Sequence, residues 1–274
     1  MIGTLYLVAT PIGNLEDITL RALRVMRECA LIATEDTRST GRLLDHFGIE
    51  RPLISYFEHN KLTRLDRLLD TLEVGDVVLV SEAGTPVLSD PGYELVRTAL
   101  ERGVRVVPIP GPSSLTAALS VCGLPSDRFL FLGFLPRRST ERRRLLSEVA
   151  RDRATLVLFE APHRLPAALA DMRDILGSDR RCAICRELTK LHEEVWRGSL
   201  NDAVAEWQQR QPRGEFTVVV AGAAPSAAWD EDHVRSTLAT LLAEGLSHSE
   251  AARQVARQSG WSKSAVYALW PHQA

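Results

Sequence analysis

Four short segments with loop-forming composition punctuate the first part of this chain, and three of them directly follow an apolar run rich in β-branched residues. They span residues 10–14, 34–38, 81–92 and 110–114. Glycine and proline in such segments end a strand and bring backbone amides and carbonyls into the open. In open α/β sheets, ligands bind at the carboxyl ends of the strands. The sequence therefore predicts a cleft for a small molecule, bordered by these segments.

Apolar strand-like runs alternate with helical spacing from residue 4 to residue 109, which is typical of a parallel sheet covered on both faces. Pro110-Gly111-Pro112 is the strongest internal break, and two strands close together within 181–197 indicate a hairpin. We therefore predict an α/β fold of two α/β domains. The first domain, 1–112, has a parallel sheet, the second, 113–224, has a mixed sheet, and a helical tail follows over 225–274.

Composition narrows the class of protein. The spacing of the loop segments fits neither the dinucleotide nor the P-loop fingerprint, and no apolar run approaches the ~20 residues of a membrane span. No membrane association is therefore expected. The four cysteines do not resemble a disulfide framework, so a cytoplasmic location is expected as well. Two of them form the pair Cys182-x-x-Cys185. Because a zinc site needs further ligands of this kind, we predict no metal site.

Charge gives a divided indication about nucleic acids. The net charge of -2 is not typical of a nucleic-acid-binding protein. Arginine nevertheless supplies nearly all of the cations, and the densest cluster lies within 137–153. This cluster suits phosphate groups, although a preference for arginine over lysine also arises from the base composition of a genome.

The tail carries a helix–turn–helix spacing. Ser247 and Glu250 fit a capping box, Gly260 provides a turn, and a second short helix follows. One interpretation is a nucleic-acid reader. The other, which we favour because Lys263 is the only cation of the second helix, is a helical hairpin packed on the body or on a partner subunit.

Several motifs together carry a resemblance to a known family. They are Leu5–Leu15 (LYLVATPIGNL), Thr34–Arg38 (TEDTR), Ser81–Gly92 (SEAGTPVLSDPG), Pro108–Ser114 (PIPGPSS), Phe131–Pro136 (FLGFLP), Phe159–Arg164 (FEAPHR) and Arg186–Lys190 (RELTK). The chain resembles the ribosomal RNA small-subunit methyltransferase I family of the tetrapyrrole-methylase superfamily, from residue 4 to 222. Glu82 stands where that family often has aspartate, and Ala161 where it often has serine.

The resemblance implies a homodimeric enzyme that binds S-adenosylmethionine in a deep cleft between two α/β domains. It implies methylation of the ribose 2′-hydroxyl of a cytidine in the decoding region of 16S rRNA, with the small ribosomal subunit as the expected partner. Two alternatives stay open. One is a carbon methyltransferase acting on a corrin or porphyrin precursor, and the other is a ligand-sensing DNA-binding regulator without catalytic activity.

By resemblance, the Gly84-Thr85-Pro86 turn faces the methionine part of the cofactor, and Phe159 lines the adenine site with the strand around Val219. Ser113 or Ser114 can cap a helix whose free amides suit the cofactor carboxylate. The complete expected set is Pro11, Glu82, Gly84, Thr85, Pro86, Ser113, Ser114, Leu115, Phe159 and Val219.

A ribose hydroxyl is a poor nucleophile, so a general base would assist the transfer. The candidates are Glu35, Asp36, His59, Glu160 and His163, of which the Glu35/Asp36 pair is the preferred hypothesis. Contacts with RNA are expected from Arg38, His59, Arg137, Arg138, Arg142 and Arg164. For Arg38, a salt bridge to Glu35 or Asp36 is an equal alternative.

Overall fold

Five parallel strands form a sheet in the first part of the chain, in the order β3-β2-β4-β1-β5. The strands are β1 (Thr4–Val8), β2 (Leu31–Thr34), β3 (Leu53–Ser55), β4 (Val77–Val80) and β5 (Arg105–Ile109). The computed structural model describes residues 2–57, 60–224 and 229–269, without the side chain of Lys61.

Helices cover both faces of this sheet, as the alternation of strands and helices predicted. They are α1 (Leu20–Glu28), α2 (Thr37–His46), α3 (Lys61–Val74) and α4 (Tyr93–Glu101), with a 3-10 turn at Leu15–Asp17. A further helix, α5 (Ser114–Val121), follows β5 in the chain. α3 and α4 enclose one core with the sheet, which includes Leu5 and Leu79. α1 and α2 enclose another on the opposite face, with Val8 and Val80. Side chains alternate between the two faces of a strand, so β1 and β4 each contribute side chains to both cores.

A second sheet of five strands is mixed, in the order β6-β7-β10-β8-β9. Its strands are β6 (Phe129–Phe134), β7 (Thr155–Glu160), β8 (Arg181–Arg186), β9 (Glu194–Ser199) and β10 (Phe216–Val220). Only β6 and β7 pair in parallel, and β8 and β9 form the hairpin that the sequence predicted.

Three helices pack on one face of the second sheet, namely α6 (Ser139–Val149), α7 (Leu165–Leu176) and α8 (Leu200–Gln209), and a 3-10 turn at Pro162–Arg164 precedes α7. The other face packs against Leu115 and Leu119 of α5. Cys182 lies in the first of these cores and Cys185 in the second. The two thiols therefore occupy opposite faces of the sheet, as predicted, and all four cysteines are buried and free.

The chain divides into two compact units, Met1–Gly222 and Ala223–Ala274. The second contains α9 (Glu231–Ala243), α10 (His248–Ser259) and α11 (Lys263–Ala268) around its own core, which includes Val234, Val255 and Val266. The predicted capping box is present, since Ser247 and Glu250 each bind the other's backbone amide. Within the described ranges, no helix has the length and apolarity needed to cross a membrane.

Candidate active site

Three loops meet at the carboxyl edge of the first sheet and are tied together by hydrogen bonds. The backbones of Thr10 and Gly84 each donate to the other's carbonyl at 2.9 Å. The Thr85 hydroxyl donates to the Pro112 carbonyl at 3.2 Å. The loops after β1, β4 and β5 are thereby fixed relative to one another.

A cavity of about 690 Å³ opens at these loops and is lined by residues of both sheets. This volume lies in the ordinary range for small-molecule sites. Of the ten residues predicted to bind a cofactor, eight line it: Pro11, Glu82, Gly84, Thr85, Ser113, Ser114, Leu115 and Phe159.

Two of the predicted cofactor residues do not reach the cavity. Pro86 is buried within its loop, and Val219 packs into the core between the second sheet and α5. Phe216 and Thr217 of the same strand line the cavity instead. The strand that the resemblance indicated does line the cavity, but through residues two and three positions before Val219.

Ser113 is the N-cap residue of α5, but its side chain makes no capping hydrogen bond. The predicted side-chain cap at Ser113 is therefore absent. Ser113 and Ser114 line the cavity at the start of α5, where the first amides of a helix have no partner within it.

An aromatic cluster forms one wall. Phe159 contacts Phe131 and Phe134 edge to face, with ring centres 5.0 and 5.6 Å apart. All three line the cavity. Of these, only Phe159 was expected as a site residue. Phe131 and Phe134 belong to the FLGFLP motif that contributes to the family resemblance.

The lining is strongly acidic. Carboxylates come from Glu35, Glu82, Asp90, Glu160 and Glu215, whereas Lys190 is the single cation among the lining residues. Burial, together with the negative charges of Glu35 and Glu82, raises the pKa of Asp90 to about 6. Burial also raises the pKa of Glu35, assisted by the charges of Glu82 and Asp36. Such a site favours a bound cation and disfavours an anion.

The two members of the preferred catalytic pair have different surroundings. Glu35 lines the cavity, whereas Asp36 does not. Asp36 is the N-cap of α2, where its Oδ1 accepts a hydrogen bond from the Arg38 amide at 2.8 Å. That bond lowers the pKa of Asp36. Only Glu35 is therefore placed to act on a ligand in the cavity.

Glu160 is buried at the cavity wall, and burial raises the pKa of its carboxyl group. Its Oε1 accepts from the Ala161 amide at 2.9 Å and lies 3.2 Å from Nε of Arg164. Oε2 has no hydrogen-bond partner among the described residues. A buried polar atom of this kind indicates a position for a ligand or a water molecule.

The loop after β4 is conformationally strained. Val87 and Ser89 have φ angles of 76° and 65°, in the left-handed region that β-branched residues rarely adopt. Such conformations persist only where the surrounding structure enforces them, and they cluster at ligand sites.

The arginines expected to contact RNA fall into two groups. Arg142 and Arg164 are mostly buried. Nε of Arg142 donates to Asp171 at 2.8 Å, and Arg164 donates to the Pro136 carbonyl at 3.1 Å. Both guanidinium groups are engaged within the protein, so neither is exposed as the other predicted RNA contacts are.

The other arginines, Arg38, Arg137 and Arg138, are exposed but do not line the cavity. Arg38 lies 3.6 Å from Asp36, which is the alternative salt bridge that the sequence left open. His59 lies outside the described residues. Among the residues that are described, no group of His, Cys, Asp and Glu has the arrangement of a metal site.

Two family models match the chain. Residues 4–204 match the model "Tetrapyrrole (Corrin/Porphyrin) Methylases", and residues 227–270 match "RsmI C-terminal HTH domain". Several curated relatives carry the name "Ribosomal RNA small subunit methyltransferase I". The one from Synechocystis sp. is 47% identical over 97% of this chain and 97% of its own length. One from Thermotoga maritima is 48% identical over 80% of this chain and 99% of its own length.

Solved structures extend the similarity of fold. The native form of a uroporphyrin III C-methyltransferase from Thermus thermophilus superposes with a TM-score of 0.58, covering 79% of this chain and 97% of that one. A further structure of a uroporphyrin-III-C-methyltransferase from Thermus thermophilus gives a TM-score of 0.55, covering 79% and 94%. Sequence identity is 21% in both cases, so these structures bear on the fold alone.

Proposed function

This chain belongs to the ribosomal RNA small subunit methyltransferase I family of the tetrapyrrole methylases, and we propose that it methylates the ribose 2′-hydroxyl of a cytidine in the decoding region of 16S rRNA, with S-adenosylmethionine as donor. The observation that carries the proposal is full-length similarity to relatives that share one name. The acceptor is the small ribosomal subunit, which places the protein in the cytoplasm.

The cavity fits such a donor. When bound, S-adenosylmethionine supplies an electrophilic methyl group on a cationic sulfonium. The carboxylates of Glu35, Glu82 and Asp90 stabilise a cation in the cavity, and the free amides at the start of α5 suit a carboxylate. Oε2 of Glu160 is a buried hydrogen-bond acceptor for an N–H or O–H group of S-adenosylmethionine.

The same lining argues against a tetrapyrrole precursor as acceptor. Uroporphyrinogen-type molecules carry many carboxylates, and five carboxylates against one lysine would repel them. The likeness to the Thermus methyltransferases concerns the fold alone.

Glu35 is the proton acceptor in this proposal. It lines the cavity, and burial raises its pKa toward neutral pH. Its carboxylate is therefore a stronger base than that of an exposed glutamate. The proton leaves the 2′-hydroxyl for the Glu35 carboxylate as the oxygen is methylated. Asp36 contributes by starting α2, which follows directly, and so fixes the backbone beside Glu35.

Exposed arginines next to the cavity supply phosphate contacts. Arg137 and Arg138 follow the pocket-lining Phe134 by three and four residues, and both are exposed. The guanidinium groups of Arg142 and Arg164 bind the carbonyl of Pro136 at 3.3 and 3.1 Å. The buried arginines therefore position the exposed ones beside the acceptor.

The decisive experiment uses labelled S-adenosylmethionine and small subunits that lack the modification. After incubation and digestion, the label is expected in a ribose-methylated cytidine. Fully modified subunits are the control and accept no label. Label on a base, or on a uroporphyrinogen-type acceptor and not on RNA, contradicts the proposal. A regulator without catalytic activity would transfer label to neither acceptor.

A further inference from the structure

Phe134 is an exposed aromatic side chain at the cavity wall. It is 55% solvent accessible, yet it lines the cavity and contacts Phe159. Single exposed apolar residues are common on protein surfaces and need no explanation. Among the exposed large apolar side chains of the described residues, however, Phe134 and Leu88 are the two that line this cavity.

The backbone presents Phe134 through an irregularity in β6. The pairing of β6 with β7 shifts register between Phe131 and Phe134, and Gly133 within it has a φ of 62°. Bulges of this kind re-aim side chains next to functional sites. A Cβ atom at Gly133 would lie 3.1 Å from Oγ of Ser89. The bulge therefore lies against the strained loop that carries Leu88.

Charge restricts what can cover this apolar surface. The carboxylates of Glu35, Glu82 and Asp90 line the same cavity and repel a phosphate. A nucleobase is flat and uncharged, and the exocyclic amine of cytosine donates hydrogen bonds that carboxylates accept. Proteins commonly bind unstacked RNA bases on aromatic side chains. Of the parts of an RNA, the base suits this surface and the backbone does not.

We propose that Phe134 stacks the base of the acceptor nucleotide at the mouth of the cavity, beside Leu88. This role rests on the function proposed above and adds a residue that positions the acceptor. The phosphates on either side of the base remain outside the acidic cavity, where Arg137 and Arg138 are exposed.

The test compares Phe134→Ala and Phe134→Trp with Phe129→Ala. Phe129 is a matched control because it lies on the same strand, is 46% exposed and does not line the cavity. Affinity for unmethylated small subunits is measured in the presence of S-adenosylhomocysteine at several salt concentrations. Base stacking on an aromatic side chain predicts a loss of about tenfold for Phe134→Ala.

The tenfold loss is expected at every salt concentration, because the slope of log affinity against log salt reports phosphate contacts, which Phe134 does not make. We expect Phe134→Trp to restore affinity and Phe129→Ala to leave it unchanged. Affinity for S-adenosylmethionine, measured by calorimetry, should be unchanged in Phe129→Ala and should fall less in Phe134→Ala than affinity for the subunit does.

Several outcomes overturn the stacking role. These are equal affinities of Phe134→Ala and Phe129→Ala for the subunit, a loss confined to donor binding, or a change in oligomeric state that shows Phe134 covered by a second copy. A wild-type protein that transfers no methyl group to subunits would overturn the proposed function itself. The wild-type assay therefore separates the two failures.

Discussion

Gly13 lies so close to Lys190 that a methyl group built on Gly13 would overlap the Cγ atom of the lysine side chain. Nζ of Lys190 lies 3.0 Å from Oε1 of Glu187 and 3.2 Å from Oε2 of Glu215. Gly13 follows β1 of the first sheet, and Lys190 follows β8 of the second. The absence of a side chain at Gly13 thus permits a close contact between loops of the two sheets at the cavity.

Gly13→Ala is expected to destabilise the protein by about 1–3 kcal/mol, the usual cost of overpacking. It should also weaken binding of S-adenosylmethionine, because Lys190 must leave its position in the lining. Gly41→Ala is the control, since a Cβ there meets nothing closer than 3.9 Å. In a Lys190→Ala background the cost of Gly13→Ala should shrink, as chemical denaturation will show. An equal cost in both backgrounds contradicts the contact.

Glu35→Gln is expected to lower kcat by about 10²–10⁴-fold, the usual contribution of a general base. Binding of S-adenosylmethionine should change little, because the amide preserves the shape of the side chain. In the wild type, kcat should fall as pH drops through the raised pKa of Glu35, because the protonated carboxyl cannot accept a proton.

Asp36→Ala separates the two neighbouring carboxylates. Loss of the helix cap is expected to cost about 1 kcal/mol of stability, as measured by urea unfolding. Single-turnover rates at saturating substrate should stay close to the wild type. A loss of rate as large as that of Glu35→Gln would show that Asp36 takes part in proton transfer.

Asp90→Asn is expected to stabilise the protein above neutral pH. The folded protein raises the pKa of Asp90 from 3.8 to about 6, so it binds this proton more tightly than the unfolded chain does. Ionisation of Asp90 therefore reduces stability as pH rises from about 4 to about 6, and the full penalty remains above this window. At about pH 8 the substitution should raise the free energy of unfolding by on the order of 2 kcal/mol.

The gain from Asp90→Asn should vanish below about pH 3, where Asp90 is protonated in both the folded and the unfolded state. Asp66→Asn, at an exposed position on α3, is the control for the chemical change itself. Thermal unfolding across this pH range provides the measurement. A gain that is independent of pH would assign the effect to packing rather than to charge.

The sequence predicted the two sheets because each strand carries a local apolar pattern with a turn signal after it. It predicted that the loops after β1, β4 and β5 border a cavity, because the carboxyl ends of parallel strands meet at one edge of a sheet. Asp36 was expected as a catalytic residue, and its role as the N-cap of α2 was not predicted.

Other features depend on distant contacts and carry no local pattern. The raised pKa of Asp90 comes from burial and from Glu35, which is 55 residues earlier in the chain. The left-handed φ of Val87 opposes the intrinsic preference of valine. Which arginine of the cluster becomes buried depends on the position of Asp171, on another helix.

Arg142→Ala is expected to destabilise the protein by about 1–3 kcal/mol, because the buried Asp171 carboxylate loses its closest partner while it keeps Arg143 at 2.7 Å. Nη2 of Arg142 lies 2.6 Å from Oδ2 of Asp171, and both side chains are at most 10% exposed. Arg144→Ala is the matched control on the same helix, since Arg144 pairs with Glu148 in solvent and should cost less than about 0.5 kcal/mol. Urea unfolding provides both values. Equal costs would contradict a structural role for Arg142 and would return it to the arginines that contact RNA.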